Sequence, residues 1–163
     1  MTKSEIGVGD AIKLIISLFF PIYAGVFGAI ITSFTVTTWY AALNKPFFSP
    51  PGWIFGPVWT ILYILMGVSL FLVWRKGINS EAARMAIAIF ACQLAVNMFW
   101  SFAFFGFMAP LVALVTILLL WGLILLMIVN FYHISKAAAI MNIPYLLWVS
   151  FATILNIAIV VLN

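Results

Sequence analysis

Charged residues are sparse along this chain, and the uncharged runs between them set its architecture. The charges fall at Lys3, Glu5, Asp10, Lys13, Lys45, Arg75, Lys76, Glu81, Arg84 and Lys136. Four long uncharged runs remain, at 14–44, 46–74, 85–135 and 137–163. A helix needs about 20 apolar residues to cross the hydrocarbon core of a bilayer. The first run holds one such helix, at about 12–34, followed by the polar segment 35–38. The second opens with prolines and holds a helix at about 53–74. The third, as one helix, would be roughly 75 Å long, more than twice the hydrocarbon thickness. It must break, and the glycine and proline at 106–110 mark the place. That gives helices at about 81–105 and 110–132, and the last run gives one at about 137–162. The pattern predicts a single all-α domain, a five-helix transmembrane bundle.

Composition agrees. Hydrophobic residues make up 67% of the 163 and charged residues only 6%, with a mean hydropathy of +1.31. Soluble domains carry about 25% charge. A soluble enzyme, a disordered chain, a disulfide scaffold and a nucleic-acid binder are therefore excluded, the last despite a pI near 9.5. With five spans, Lys3, Lys13, Arg75, Lys76, Arg84 and Lys136 share one side, and Lys45 alone faces the other. The positive-inside rule places the crowded side, and the N-terminus, in the cytoplasm.

Three connections are short, but the first, at about 35–52, reads TVTTWYAALNKPFFSPPG. Its length suggests function or disorder, and its aromatic residues argue against disorder. It reads either as a lid folded over the bundle or as an interfacial aromatic belt.

No Asp, Glu, Lys or Arg lies within a span except near its ends. Proton relays, ion pathways and paired-carboxylate catalysis lack their residues. The lone His133 and lone Cys92 make no metal site. The uncharged polar residues carry more information. Gln93, Asn97 and Ser101 recur at i, i+4, i+8 on one helical face, with Trp100 and Phe104 beside them. Amides in hydrocarbon need partners, so this face points inward, either as interhelical glue or as the polar groups of an apolar pocket. Tyr145, Trp148, Ala152 and Asn156 share a face of the last span, where Pro144 is expected to kink the helix. Trp53, Pro57, Trp59 and Tyr63 open the second span, and Pro21, Gly25, Gly28 and Thr32 give the first a small-residue side. The fourth span shows no such pattern and reads as scaffold. Aromatic walls with a few amides suit a large flat apolar ligand. The plain alternative is a membrane bundle that is simply rich in aromatic residues.

Several runs resemble the translocator protein family, also known as tryptophan-rich sensory proteins or peripheral benzodiazepine receptors. They are WYAALNKP (39–46), PPGW (50–53), GPVWTILY (56–63), QLAVNMFWSFAFF (93–105) and PYLLWVSFATILN (144–156), with Pro110 and the pair Leu120 and Trp121 between them. The resemblance implies five transmembrane helices, usually a homodimer, with a pocket closed by the first loop. It implies binding of protoporphyrin IX or related tetrapyrroles and of synthetic flat ligands, with the porphyrin as ligand or substrate and no cofactor. By motif position the pocket residues are Trp39, Tyr40, Trp59, Asn97, Trp148 and Ala152, joined by Gln93, Trp53, Tyr63 and Trp100. The two tryptophans tied to light-dependent porphyrin degradation in some bacterial members correspond to Trp59 and Trp148. A receptor or sensor, a photochemical enzyme, and a tetrapyrrole or lipid transporter without ion coupling are the functions this leaves open. Where the family loop reads K-P-x-W-x-P-P, this chain has Phe48. Its tail, LNIAIVVLN, lacks the Tyr and the cation of the animal cholesterol motif, which puts a specific sterol site in doubt and suggests a bacterial membrane.

Overall fold

The structure, a computed structural model, describes residues 7–163. Lys3 and Glu5, and with them part of the charge count, lie outside the described residues. Helix α1 spans Val8–Ser33. A short helix α2, Trp39–Ala42, lies in the first loop. A 3₁₀ turn, Gly52–Ile54, leads into α3, Phe55–Arg75. Helix α4, Glu81–Ser101, runs on into a π-helical turn, Phe102–Gly106. Helix α5 is Pro110–Ile134, α6 is Lys136–Met141 and α7 is Ile143–Leu162. Among the described residues, five stretches are long and apolar enough to cross a membrane: Val8–Ser33, Gly52–Arg75, Glu81–Gly106, Pro110–Ile134 and Lys136–Leu162. The fold is a five-helix membrane bundle.

Local chemistry sets the breaks. Ser80 caps α4, its hydroxyl oxygen accepting from the Ala83 N–H, and Ser135 caps α6 in the same way through Ala138. Gly77, at φ +104°, turns the chain between α3 and α4, a conformation a side chain would strain. Pro110 starts α5, where its missing N–H has no intrahelical partner to lose. The last span differs from a simple kinked helix. It ends as α6, turns at Asn142, and restarts as α7 with Pro144 in its first turn. The buried Asn142 amide donates to Ser69 Oγ on α3 and to the Ala138 carbonyl, which pins the break to the second span.

The distribution of polarity is inverted relative to a soluble protein. Gln93, Asn97, Asn142, Asn156, Ser17 and Ser69 are buried, while Ile15, Leu111, Val115, Leu147 and Ile154 are exposed at the perimeter. Most of these polar side chains meet partners inside, Ser17 Oγ and Asn142 Oδ1 being left without one, and the outside is matched to acyl chains. Helix α1 packs on α3 and α4, α4 on α5, α5 on α6 and α7, and α6 on α3. The five spans therefore close a ring in the order first, third, fourth, fifth, second. Asp10 and Lys13 of α1 and the charges at the facing ends of α3 and α4 gather at one end, where Arg75 Nε reaches Asp10 Oδ2 at 3.2 Å. Lys45 lies at the other end, next to Asn44, which is hydrogen-bonded to Asn163.

The ring is not packed evenly. On the Lys136 side α6 lies against α3, but beyond the Asn142 break α7 makes no comparable packing with α3. The break thus opens a space in the half of the bundle that carries the first loop.

Candidate functional site

That space is a cavity of about 610 Å³, within the usual range for small-molecule sites. Its walls come from α1, the first loop, α3, α4 with its π-turn, and α7; α5 contributes nothing to it and only backs the ring. Of the described residues that line it, none is charged.

Helix α3 presents Phe55, Gly56, Trp59, Thr60 and Tyr63, which recur every three or four residues and so share one face. Trp59 stacks on Tyr63 with ring centroids 5.4 Å apart and meets Tyr145 edge-on at 6.1 Å. Phe55 meets Trp148 of α7 edge-on at 5.7 Å. Trp148 in turn leans on Phe151 at 5.6 Å, and its Nε1–H is buried with no hydrogen-bond partner. Trp100 stacks on Phe104 at 5.5 Å. Trp100 Nε1 donates to Asn156 Oδ1 at 3.3 Å, and Asn156 Nδ2 donates to the Pro110 carbonyl at 2.9 Å. The Asn156 amide thus ties Trp100 to the start of α5.

Two glycines make room on α1. A Cβ on Gly25 would come within 2.6 Å of the Tyr63 ring, and one on Gly28 within 3.1 Å of Ser101 Oγ. The bare backbone at Gly25 lets the Tyr63 ring lie flat against α1.

Beneath the cavity runs a chain of buried hydrogen bonds. Tyr63 donates to Asn97 Oδ1 at 2.8 Å, Asn97 Nδ2 donates to the Tyr145 oxygen at 3.0 Å, and Tyr145 donates to Gln93 Oε1 at 3.0 Å. Gln93 Nε2 points at Met66 Sδ, 3.9 Å away. Three helices are joined by this chain. Replacing Tyr145 with Phe removes one donor and one acceptor at once and leaves an Asn97 donor and a Gln93 acceptor buried without partners. Such orphaned groups cost about 1–3 kcal/mol, although single interhelical bonds in bilayers average only about 0.6. Tyr145→Phe is therefore expected to unfold at lower dodecyl sulfate fraction than the parent, with the helix content of the folded state unchanged by circular dichroism.

Of the residues singled out from the sequence, Tyr40, Trp59, Tyr63, Trp100, Trp148 and Ala152 line the cavity. Gln93 and Asn97 do not; both are buried in the hydrogen-bond chain below it. Trp39 stands behind the wall, edge-on to Phe104 at 5.6 Å. Trp53 is 75% exposed and faces away. Its position in the 3₁₀ turn, six residues before Trp59, puts it off the Trp59 face, since six residues at 3.6 per turn fall about a third of a turn short of two full turns. Phe55, Phe104, Phe105, Leu155, Asn156 and Ile159 line the cavity without having been assigned to it. Asn156 and Phe104 lay on faces already read as inward. Phe55 could have been found as the residue four before Trp59.

The first loop closes the outer end. Tyr40 meets Phe105 at 5.6 Å, Phe48 meets Phe151 at 6.4 Å, and Thr35 Oγ1 donates to the Phe105 carbonyl at 2.9 Å. Asn44 N–H donates to Asn163 Oδ1 and Asn163 Nδ2 donates back to the Asn44 carbonyl, both at 3.0 Å. Lys45 sits 4.8 Å over the Tyr40 ring. Burial pushes the Tyr40 phenol up from its ordinary value, against a hydrogen bond with Ser49 that pulls it down.

Residues 17–162 match the TspO/MBR family. The chain belongs to that family. A tryptophan-rich protein TspO from Archaeoglobus fulgidus is 43% identical over 154 residues, which cover 94% of this chain and 99% of the relative. The translocator protein of Homo sapiens is 42% identical over 119 residues, 72% of this chain and 70% of its own. A tryptophan-rich sensory protein from Cereibacter sphaeroides is 35% identical over 125 residues, 77% of each chain. As a TspO/MBR member with five apolar spans, this is an integral, multi-pass membrane protein. Microbial and animal relatives stand at nearly equal identity, so identity alone does not assign the chain to a bacterial membrane. The family match covers every residue that lines the cavity.

Proposed function

We propose that this protein is a membrane receptor for large, flat, apolar ligands of the tetrapyrrole class, protoporphyrin IX among them. The observation that carries the reading is the cavity itself: about 610 Å³, uncharged, and walled by Trp59, Tyr63, Phe55, Trp100, Phe104 and Trp148. Aromatic faces stack on an extended π-system, and each well-placed pair adds about 0.5–1.5 kcal/mol beyond buried area. The names of the relatives, translocator and tryptophan-rich sensory protein, support a role in sensing or moving a ligand at a membrane. The uncharged walls favour binding over ion-coupled transport, since coupling ions and protons need charged or titratable groups along their path. Protoporphyrin IX titrated into the purified protein should quench tryptophan fluorescence saturably in the dark. A linear, non-saturating response would refute the reading.

A second activity rests on Trp59 and Trp148, whose indoles stand in the cavity wall where they can give an electron or hydrogen atom to a photoexcited porphyrin. Illumination of the bound complex should bleach the porphyrin Soret band. The loop acts as a roof over the ligand. Trp39→Ala with Tyr40→Ala removes a wall ring and the edge contact on Phe104, so ligand release should speed up more than association slows, as stopped-flow would read.

The proposed assembly is a homodimer in a bacterial cell membrane, with the N-terminus cytoplasmic by the six-to-one bias of cations. Single cysteines at Ser4 and Asn163, in a Cys92→Ser background, should label with an impermeant maleimide on intact cells at position 163 only. The reverse pattern would invert the topology.

A further inference from the structure

One stripe of α3 faces α1 along its whole length, and the distance between the helices changes along it. At Gly67 the two backbones nearly touch: a Cβ there would lie 2.8 Å from Leu18 Cα. One turn further towards the roof, Tyr63 fills the gap against Gly25. Beyond Tyr63 the same stripe continues with Thr60 and Gly56, and both are exposed. A Cβ on Gly56 would meet nothing within 4 Å. Over the same length α1 leans towards α4, where Gly28 approaches Ser101. The helices therefore splay apart from Gly25 outward. Ile22, Val26 and Ala29 of α1 edge the gap, line the cavity and are exposed, Val26 by 54%.

The gap lies inside the spans. Eleven residues separate Ile22 from Ser33, the outer end of α1, which is roughly 16 Å of helix and half the thickness of the hydrocarbon core. The surface it opens onto is therefore acyl chain, not water. The aqueous end, by contrast, is closed by the Asn44 and Asn163 pair, by the Thr35 bond to Phe105 and by the loop aromatics.

We propose that the gap between the outer halves of α1 and α3 is a lateral portal, through which a ligand dissolved in the bilayer passes to and from the cavity while the first loop stays shut. The proposal rests on the cavity being the ligand site, and it narrows the ligand class to molecules that partition into hydrocarbon before they bind. Its edges suit that traffic. Gly56 and Ala29 are small, and Thr60 satisfies its hydroxyl by donating to the Gly56 carbonyl at 2.9 Å, so it offers the passing ligand a methyl group.

The test separates roof from portal. Asn44→Cys with Asn163→Cys, in a Cys92→Ser background, is oxidised to lock the loop, with closure checked by mobility before and after reductant. In nanodiscs, protoporphyrin IX delivered from donor vesicles should associate with the locked and reduced forms at rates within about twofold of each other. Ala29→Phe with Thr60→Phe fills the gap, and should slow association and release together by at least about tenfold, because a narrowed passage alters both directions. A locked loop that blocks association, with reductant restoring it, would overturn the proposal. A ligand-independent arm uses vesicles of phosphatidylcholine brominated on the acyl chains. Wild-type tryptophan fluorescence should be quenched more than that of the filled variant, as acyl chains reach Trp59 through the gap. Equal quenching would overturn the portal, and would also be the result if a second copy of the chain covered this face. Failure of the detergent-solubilised protein to bind protoporphyrin IX would instead refute the tetrapyrrole site, and the quenching comparison would still decide the portal.

Discussion

Gly67→Ala should cost this protein more stability than any other single methyl group added to its glycines. The added Cβ would lie 2.7 Å from Leu18 Cδ2, 2.8 Å from Leu18 Cα and 3.0 Å from the Ser17 carbonyl oxygen. Two of those three atoms are backbone, so no rotamer change relieves the overlap, and α1 must move away from α3. Overpacking of a tight contact costs about 1–3 kcal/mol, sometimes more, and each kcal/mol lowers the melting temperature by about 2–4 °C at this chain length. The melting temperature in detergent should fall by roughly 2–12 °C. Gly122→Ala is the matched control. It sits mid-helix on α5, exposed, with nothing within 4 Å of its would-be Cβ. That substitution gains helix propensity without a clash and should leave stability equal or raise it by about 0.5–1 kcal/mol. Equal losses at the two positions would mean that the α1–α3 crossing is not where the bundle is tight.

Light-driven loss of bound porphyrin should collapse in Trp59→Phe and Trp148→Phe while binding survives. Phe keeps an aromatic wall at each position, so the stacking surface shrinks without vanishing. The binding change should stay within about tenfold, because an aromatic contact is worth about 0.5–1.5 kcal/mol and about 1.4 kcal/mol corresponds to tenfold. A benzene ring is much harder to oxidise than an indole and cannot replace it as electron or hydrogen donor. Bleaching rate per bound porphyrin should therefore drop much further than affinity does. The two positions should also differ in binding. Trp148→Phe removes an N–H that is buried without a partner in the protein, so a loss of affinity beyond that of Trp59→Phe would show that the indole turns its N–H to the ligand on binding. Bleaching of both variants at the parental rate would make these tryptophans walls alone, and ordinary photosensitised oxidation would then account for the loss of colour.

Much of the site was legible because helical periodicity is a local property. Trp59 and Tyr63, four apart, and Trp148 and Ala152, four apart, had to share faces, and the bundle turns both faces inward. The π-turn at 102–106 was not legible. Five residues closed by the Phe107 N–H to the Phe102 carbonyl at 2.8 Å shift the register by one residue and bring Phe104 and Phe105 together to the cavity, which a 3.6-residue period does not do. Gln93 and Asn97 show a different limit. Their spacing required them to face inward, but an inward amide can meet a ligand or another side chain, and only the positions of Tyr63 and Tyr145 on two other helices decided for the latter.

The sequence by itself determined that the chain forms a five-helix membrane bundle and which helical faces avoid lipid. Each of these follows from hydrophobicity and spacing along one segment, and the cost of an unpaired polar group in hydrocarbon leaves no alternative. The tertiary structure alone decided that the spans close in the order first, third, fourth, fifth, second, that α7 leaves α3 after Asn142, and that α1 and α3 touch at Gly67 but part above Gly25. These are relations between segments far apart in the chain. They are set by which small residues let two backbones approach and by which side chains fill the angle between them, so no single helix carries them in its pattern.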